Sequence, residues 1–250
     1  VWTPQEAREA DLLIVALKYG ALRAALPDIQ AAVDAHTTVM SLMNGVDSEE
    51  IIASAIGEEH MIYSLIKVAS AYQEGRGYCF DPAITIGIIY GEAKEPRESV
   101  RIHALQEVFG KTRLNTRATD CIREEIWNKF RLNVCNNLPQ AILGAGVGCY
   151  RDSVHMKAIS DGLRHEVEQI AAAKGVDMEK LASLTSTGCA VPPSARYSTL
   201  QDLDAGRHTE IDMFAGALMR MGEEYGIPTP YSTYTYHMIK ALEEKHDGLF

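Results

Sequence analysis

The sequence predicts an α/β protein of two domains, with a parallel-sheet domain over residues 1–119 and an all-helical domain over residues 120–250. In the first domain, apolar runs typical of β-strands alternate with helical stretches, which is the pattern of a sheet covered by helices. In the second domain strand-like runs almost vanish, and apolar residues recur at i, i+3 and i+4 spacing. At roughly 150 residues per domain, 250 residues suffice for one to two domains.

The first predicted strand is Asp11–Lys18, a continuous apolar run of the kind found in strands buried on both faces. A helix over 21–33 and a second strand over 37–43 follow, and Asp47 and Glu50 then have the spacing of a capping box that opens a short helix. Because strands and helices alternate, we predict a doubly wound parallel sheet. Further strand-like runs lie within 60–71, 77–80 and 83–90, and a helix is predicted over 95–110.

The helical domain contains three strongly periodic segments. Apolar residues with helical spacing mark helices over 122–134, 153–174 and 211–225. Thr209 is the predicted N-cap of the third helix, and Gly226–Pro230 has the Gly-then-Pro order that ends a helix.

Three closely spaced glycines, Gly144, Gly146 and Gly148, resemble a dinucleotide-binding loop only superficially. Their spacing is G-x-G-x-G, and they follow a predicted helix rather than a strand. We therefore interpret them as the end of a helix that Pro139 already weakens.

Composition argues against several functional classes. The 24 Lys and Arg against 34 Asp and Glu give a net charge of -10, which does not favour nucleic acid or an anionic membrane surface as a partner. The longest strongly apolar run, Leu12–Leu17, is too short to span a bilayer. No Cys-x-x-Cys pair occurs, and His208 with Glu210 lacks a third nearby ligand. We therefore expect no metal site and no disulfide framework, and a cytoplasmic location.

A polar stripe on an otherwise apolar helix is the most informative feature. Lys129, Asn133 and Asn137 step by four residues, so on an α-helix each lies about 40° from the last. Polar groups buried without partners cost about 1 to 3 kcal/mol each. The stripe therefore needs a partner, which is either a ligand or a hydrogen-bond network between the domains with Lys129 extending to water.

Two further candidate sites each have a functional and a structural interpretation. The polar segment from Ser198 to Asp212 precedes an amphipathic helix and places Glu210 in the first turn of that helix, where it either serves a ligand or complements the helix dipole. Asn44 and Gly45 follow a predicted parallel strand, at the edge where α/β sheets bind ligands, or they form an ordinary tight turn. Lys18 follows the neighbouring strand and faces the same edge.

Together these motifs resemble those of the ketopantoate reductase (2-dehydropantoate 2-reductase) family. The resemblance runs from about residue 8 to about residue 240 and matches in order and spacing. Its motifs are Val15-Ala-Leu-Lys18, Leu42-Met-Asn44-Gly45-Val46, Trp127-x-Lys129-x-x-x-Asn133-x-x-x-Asn137 and Ser198-x-x-Gln-Asp202-x-x-x-Gly-Arg207-x-Thr-Glu210-Ile-Asp212.

The resemblance implies a Rossmann domain joined to a helical domain similar to that of 6-phosphogluconate dehydrogenase-like enzymes. It implies NADPH-dependent reduction of 2-dehydropantoate to (R)-pantoate, a step in pantothenate and coenzyme A biosynthesis. It makes Lys129 the catalytic lysine, with Glu210 bonding the substrate and setting the active geometry. The remaining implied contacts are Asn133, Asn137 and Ser198 with the substrate, and Lys18 and Asn44 with the nicotinamide end of NADPH.

One departure from the family pattern concerns cofactor binding. The family begins with a strand, a Gly-rich turn and a helix that hold the pyrophosphate, a unit of about 30 residues or more. Only about ten residues precede the Asp11 strand. We therefore expect an N-terminally incomplete chain that binds NADPH weakly, with a partial Rossmann domain whose open sheet edge favours a homo-oligomer.

Two alternatives stay open at this point. A related 2-keto acid or β-hydroxyacid dehydrogenase would keep the chemistry and change the substrate, because Lys-x-x-x-Asn in a helical second domain also resembles those enzymes. A non-catalytic binding or assembly module would have kept the substrate domain and lost cofactor binding.

Overall fold

A computed structural model describes residues 3–7, 9–68, 70–73, 75, 77–80, 85–94, 98–181 and 191–250. The chain divides into two compact units, Val1–Ile126 and Trp127–Phe250. The domain boundary that we predict, between residues 119 and 120, precedes the helix Ile122–Leu132, whereas the two units divide within that helix.

The described residues of the first unit form seven strands. They are β1 Leu12–Val15, β2 Thr38–Ser41, β3 Met61–Lys67, β4 Ser70–Gln73, β5 Gly77–Phe80, β6 Gly87–Gly91 and β7 Thr116–Ala118. Five of these strands form one sheet in the order β1-β2-β3-β6-β7, and the other two form an antiparallel hairpin. Three neighbouring pairs of the large sheet are parallel, and β3 with β6 is antiparallel.

The predicted α/β class is confirmed, with one exception to the parallel order. A parallel connection needs a crossover of a dozen or more residues, usually a helix. Between β3 and β6 the described chain forms the β4–β5 hairpin instead, and β6 returns antiparallel to β3.

Helices cover both faces of this sheet. The helices are α1 Tyr19–Ala32, α2 Ser48–Ile56 and α3 Val100–Gly110. Successive residues of a strand point to opposite faces. In β2, Val39 accordingly packs in one core cluster with Leu22 and Ile52 of α1 and α2, while Met40 packs in another with Ile102 of α3.

Two local predictions in this unit are wrong. The first strand lies at the edge of the sheet and is not buried on both faces, since its residue Ile14 is 42% exposed. Helix α3, which covers the second face of the sheet, packs against β7 at the opposite edge. Helix α2 begins after Asp47 as predicted, but the Asp47 side chain does not cap it. Its Oδ2 instead accepts a hydrogen bond from the Tyr19 hydroxyl at 2.7 Å.

The second unit is helical, and its described residues contain no strand. Its α- and π-helical elements begin with α4 Ile122–Leu132, whose first part belongs to the first unit, and continue with a π-helical segment Asn133–Asn137, α5 Leu138–Leu143, α6 Cys149–Asp152, α7 Val154–Ala173, α8 Ser198–Asp204, α9 Ala215–Tyr225 and α10 Pro230–His246. Helices α7, α9 and α10 pack against one another around a core that includes Leu163, Leu218 and Ile239.

Of the three glycines that we interpreted as a helix end, Gly144 has that role, whereas Gly148 immediately precedes the next helix, Cys149–Asp152. Gly144 ends α5 in the left-handed conformation, with φ of 70°. A Cβ on Gly146 would lie 2.4 Å from the backbone oxygen of Pro193, so this position excludes a side chain. Gly226 ends α9 in the same left-handed way.

Among the described residues, no helix combines the length and apolar character that crossing a bilayer requires. Cys79, Cys121, Cys135 and Cys149 are free thiols, and Cys189 lies outside the described residues.

Candidate active site

Lys129 lies half-buried in the last turn of α4. Glu124 and Glu125 occupy the first turn of this helix and Lys129 and Arg131 the last, an order that complements the helix dipole. The neighbouring ring of Phe130 is buried, with its centroid 6.2 Å from that of Phe214. The apolar side of the helix is therefore anchored in the core.

The prediction of a polar stripe assumed that the α-helix of Lys129 continues through Asn133 and Asn137, but the α-helix ends at Leu132. Residues Asn133–Asn137 are π-helical, a rare geometry that occurs mostly as single turns, frequently at functional sites. Pro139 has no N–H to give the carbonyl of residue 135, four positions earlier. The next pair of residues with this spacing is Asn136 and Gln140, and the Tyr150 hydroxyl binds to both. It accepts from the Gln140 backbone N–H at 3.1 Å and donates to the Asn136 carbonyl at 2.5 Å.

Tyr150 thus bridges two backbone groups that an α-helix would join directly. A side chain inserted into this ladder is a known cause of local helix distortion. Burial raises the pKa of the Tyr150 hydroxyl above its usual value, so the hydroxyl keeps the proton that it donates to Asn136. Pro139 and Tyr150 therefore explain why the helix changes its geometry between Asn133 and Asn137.

The two predicted amides of this segment contact each other. Asn137 is buried, with 6% exposure, and its Nδ2 donates to Oδ1 of the half-buried Asn133 at 3.4 Å. Each amide keeps further donor and acceptor capacity. The pair can therefore bind an oxygen-rich ligand without adding charge.

Ser198 begins α8 and is exposed, and α8 packs against the π-helical segment. The fully buried Gln140 fixes the chain just before it. Its Oε1 accepts from the Tyr197 N–H at 2.9 Å, and its Nε2 donates to the Ala195 carbonyl at 2.9 Å. Sequence reasoning missed Gln140; the available signal was a polar residue on the apolar continuation of the Lys129 helix.

Glu210 is half-buried, but it does not lie in the first turn of a helix as predicted. Helix α9 begins only at Ala215, and the chain from 210 to 214 forms turns in which the Glu210 carbonyl accepts from Met213 N–H. The chain around Glu210 is not helical because residues on both sides of it bind to α10. Thr209 donates from N and Oγ1 to Glu243 of α10, both at 2.7 Å, so Thr209 is not the N-cap of α9.

The second anchor is Asp212, which also binds α10. Its carboxylate accepts from the Tyr236 hydroxyl at 2.8 Å and from Lys240 Nζ at 2.8 Å. Partial burial would raise the pKa of Asp212, but these two donors outweigh it and the pKa falls below its usual value. Glu210 is therefore presented from a turn that is fixed at both ends.

In the first unit, Lys18 and Asn44 occupy equivalent positions after neighbouring strands. Strands β1 and β2 are parallel with Val15 opposite Ser41, and each candidate residue lies three positions beyond its strand. Lys18 is exposed and Asn44 half-buried. Both residues therefore follow the carboxyl ends of adjacent parallel strands, the edge at which α/β sheets bind ligands.

A cavity of about 910 Å³ in the second unit is lined by Asn128, Arg131 and Leu132 of α4, and not by Lys129. Arg131 is paired there with Glu168 at 2.8 Å and bonded to Asn128 at 2.8 Å. Its charge is therefore already compensated, and we do not assign the reaction to this cavity.

Two family profiles match the chain. One described as "Ketopantoate reductase PanE/ApbA" matches residues 1–87, and one described as "Ketopantoate reductase PanE/ApbA C terminal" matches residues 121–243.

The chain is also similar to individual proteins, both in sequence and in structure. The chain is 29% identical over 253 residues to a 2-dehydropantoate 2-reductase of Streptococcus pyogenes serotype M18, covering 97% of this chain and 80% of that protein. A PanE/ApbA family ketopantoate reductase from Ralstonia eutropha JMP134 has the same fold, with a TM-score of 0.78 at 22% identity over 98% of this chain and 79% of that one. A D-mandelate dehydrogenase in complex with NADH gives a TM-score of 0.79 at 25% identity, over 98% and 81% of the two chains.

Proposed function

The chain belongs to the ketopantoate reductase family, and from that premise we propose that it reduces 2-dehydropantoate to (R)-pantoate with NADPH, a step toward pantothenate and coenzyme A. The observation that carries the proposal is the arrangement after α4. Lys129 is followed at four and eight residues by two amides that bond to each other. A cation beside neutral amides suits a substrate that carries a carboxylate and a ketone.

Lys129 is the proposed proton donor. NADPH, when bound, supplies the hydride that is added to the ketone carbon. Negative charge then builds on the ketone oxygen, and a lysine ammonium can stabilise that oxygen and give it a proton. A lysine side chain is ordinarily protonated at neutral pH, and water can restore its proton after each turnover.

The other polar groups bind and orient the substrate. Asn133, Asn137 and Ser198 are proposed to donate hydrogen bonds to its carboxylate and hydroxyl oxygens, which amides and a hydroxyl can do without adding charge. Glu210 is proposed to accept a hydrogen bond from a substrate hydroxyl. The anchors at Thr209 and Asp212 support this role, because they hold the turn that carries Glu210.

Lys18 and Asn44 are the proposed contacts of the nicotinamide end of the cofactor. Their equivalent positions after two parallel strands support this assignment, since α/β sheets bind ligands outside the carboxyl ends of their strands. Asn44 offers amide donors and an acceptor for a carboxamide, and Lys18 offers an ammonium.

Titration calorimetry with pantoate tests the substrate site without turnover. We expect Asn133→Ala to weaken pantoate binding about tenfold, because it removes a hydrogen bond to a charged group worth about 1.5 kcal/mol. The matched control is Asn128→Ala, another half-buried amide in the same helical stretch whose Oδ1 is bonded to Arg131. Equal affinities of the two variants would contradict the proposed substrate site.

A second candidate is the reduction of another 2-keto acid. The likeness to a D-mandelate dehydrogenase, at a TM-score of 0.79, favours it specifically. Initial rates with 2-dehydropantoate and with a series of aliphatic and aromatic 2-keto acids, each with NADPH and with NADH, separate the two. A higher kcat/KM for an aromatic 2-keto acid would replace 2-dehydropantoate as the substrate.

A further inference from the structure

The turn that carries Asn44 begins at a buried polar network at the end of β2. The Ser64 hydroxyl donates to the Ser41 carbonyl at 2.6 Å, and the Leu42 N–H donates to the Val15 carbonyl at 2.9 Å. These bonds fix the backbone from two neighbouring strands. The chain immediately before Asn44 is therefore held in place.

A chain of hydroxyl groups extends from this turn to a buried carboxyl. The Met43 N–H donates to Ser41 Oγ at 3.4 Å, Ser41 Oγ lies 2.8 Å from Ser48 Oγ, and Ser48 Oγ donates to Glu49 Oε2 at 2.8 Å. A serine hydroxyl has one proton. Because Ser48 gives its proton to Glu49, Ser41 must donate to Ser48, and the chain runs in one direction from Met43 to Glu49.

We propose that Glu49 is a positioning residue for Asn44, and that the protonation state of its carboxyl sets the geometry of the turn that presents Asn44 to the nicotinamide. The inference rests on the proposed function for the role of Asn44. The hydroxyl chain provides the physical connection, since it ends at the backbone N–H of the residue that precedes Asn44.

Glu49 is placed so that its protonation changes near neutral pH. The residue is 3% exposed, and burial raises the pKa of its carboxyl to about 7, against the lowering effect of hydrogen bonds from the Ser48 hydroxyl and from the backbone N–H groups of Glu49 and Ser64. Loss of the proton then adds a negative charge to an acidic neighbourhood. The titratable groups around it are Asp47 and Glu50 on either side, Tyr63 of β3, Glu58 bonded to Tyr63, and Tyr19 of α1 bonded to Asp47.

Ionisation of Glu49 changes the forces on the hydroxyl chain and on the start of α2. A carboxylate attracts the Ser48 proton more strongly than a neutral carboxyl does, because hydrogen bonds to ionised groups are about twice as strong. Repulsion from Asp47, which immediately precedes α2, acts at the same time. Ionisation of Glu49 therefore alters the geometry of the turn that presents Asn44.

Solution NMR of the full chain tests the coupling without any cofactor. The Met43 amide signal and the Asn44 side-chain amide signals should titrate together with a midpoint near pH 7. Glu49→Gln, a neutral isostere, should abolish that titration. The matched control Glu50→Gln changes the adjacent, exposed carboxyl of the same helical turn and should leave the titration in place.

A second variant keeps the test decisive if Glu49→Gln does not fold. Ser48→Ala leaves the Glu49 carboxyl but removes the hydroxyl that links it to Ser41, so the Met43 titration should be lost. A Met43 titration that survives Glu49→Gln or Ser48→Ala overturns the inference.

The reductase assay tests the effect on the cofactor. Between pH 6 and pH 8 the KM for NADPH should change about threefold to tenfold in the wild type, the range of one hydrogen bond, with kcat changing less. In Glu49→Gln this KM should be flat with pH. Equal pH dependence in wild type and Glu49→Gln overturns the positioning role, whereas the absence of reduction at every pH, with the Met43 signal titrating as expected, overturns the proposed function alone.

Discussion

The buried carboxyl of Glu49 should make the first unit less stable as the pH rises. Burial raises its pKa from 4.5 to about 7 in the folded protein. One pKa unit corresponds to 1.36 kcal/mol, so full ionisation of Glu49 should cost about 3 kcal/mol of stability. That is a large fraction of the 5 to 15 kcal/mol by which a domain is typically stable.

The sign follows from the protons bound in each state. Below about pH 4.5 the carboxyl is protonated in both states, and it contributes no difference. Between about pH 4.5 and pH 7 the folded state keeps a proton that the unfolded state has lost, so stability falls with rising pH. Above pH 7 both states are ionised and the full loss is present.

Hydrogen exchange of the amides in β2 and α2, measured from pH 5 to pH 8, gives the free energy of opening in this unit. In the wild type this free energy of opening should fall as the pH rises. In Glu49→Gln it should stay constant with pH, while in the control Glu50→Gln it should fall as in the wild type. A wild-type free energy of opening that stays constant or increases over this range would refute the reasoning about Glu49.

Three further variants test other parts of the structure. Tyr150→Phe removes the hydroxyl that lies between the Asn136 carbonyl and the Gln140 N–H, and it should lower the free energy of unfolding in urea by about 1 to 3 kcal/mol. The control Tyr231→Phe changes a half-exposed tyrosine and should have almost no effect. Equal urea midpoints for the two variants would contradict the stabilising role of the Tyr150 hydroxyl. Gly146→Ala should lower the urea midpoint strongly, because its Cβ would meet the Pro193 carbonyl; an unchanged midpoint would show that this loop adapts. Ile14→Lys should leave stability nearly unchanged, because Ile14 is 42% exposed on an edge strand, and should reduce any self-association seen in sedimentation velocity; a loss of several kcal/mol would mean that this face is covered.

Features set by neighbouring residues were predictable from the sequence. The order of strands and helices followed from apolar periodicity, and the ends of α5 and α9 followed from Gly144 and Gly226. Both depend on the conformational preferences of a few consecutive residues. The seven candidate site residues also came from local motifs, and their roles remain predictions.

Features set by distant contacts were not predictable. The π-helical segment depends on the hydroxyl of Tyr150, and the late start of α9 depends on Glu243, far along the chain from Thr209. The Asp47–Glu50 spacing indicated a capping box, but Tyr19 takes the Asp47 carboxylate instead. The carboxyl of that segment with a raised pKa is that of Glu49. It could not be recognised from the sequence, because its burial depends on the folded sheet.

The most direct test of the account is kcat for the reduction of 2-dehydropantoate with saturating NADPH in wild type, Lys129→Ala and the control Lys157→Ala. Lys157 is an exposed lysine of α7 paired with Asp161, and its loss should leave kcat unchanged. We expect Lys129→Ala to lower kcat about 100-fold to 10,000-fold, the usual contribution of a positioned proton donor, while its circular dichroism spectrum stays that of the wild type. A kcat within a factor of about three of the wild type, less than one hydrogen bond provides, would contradict the role of Lys129 and with it the proposed reaction site.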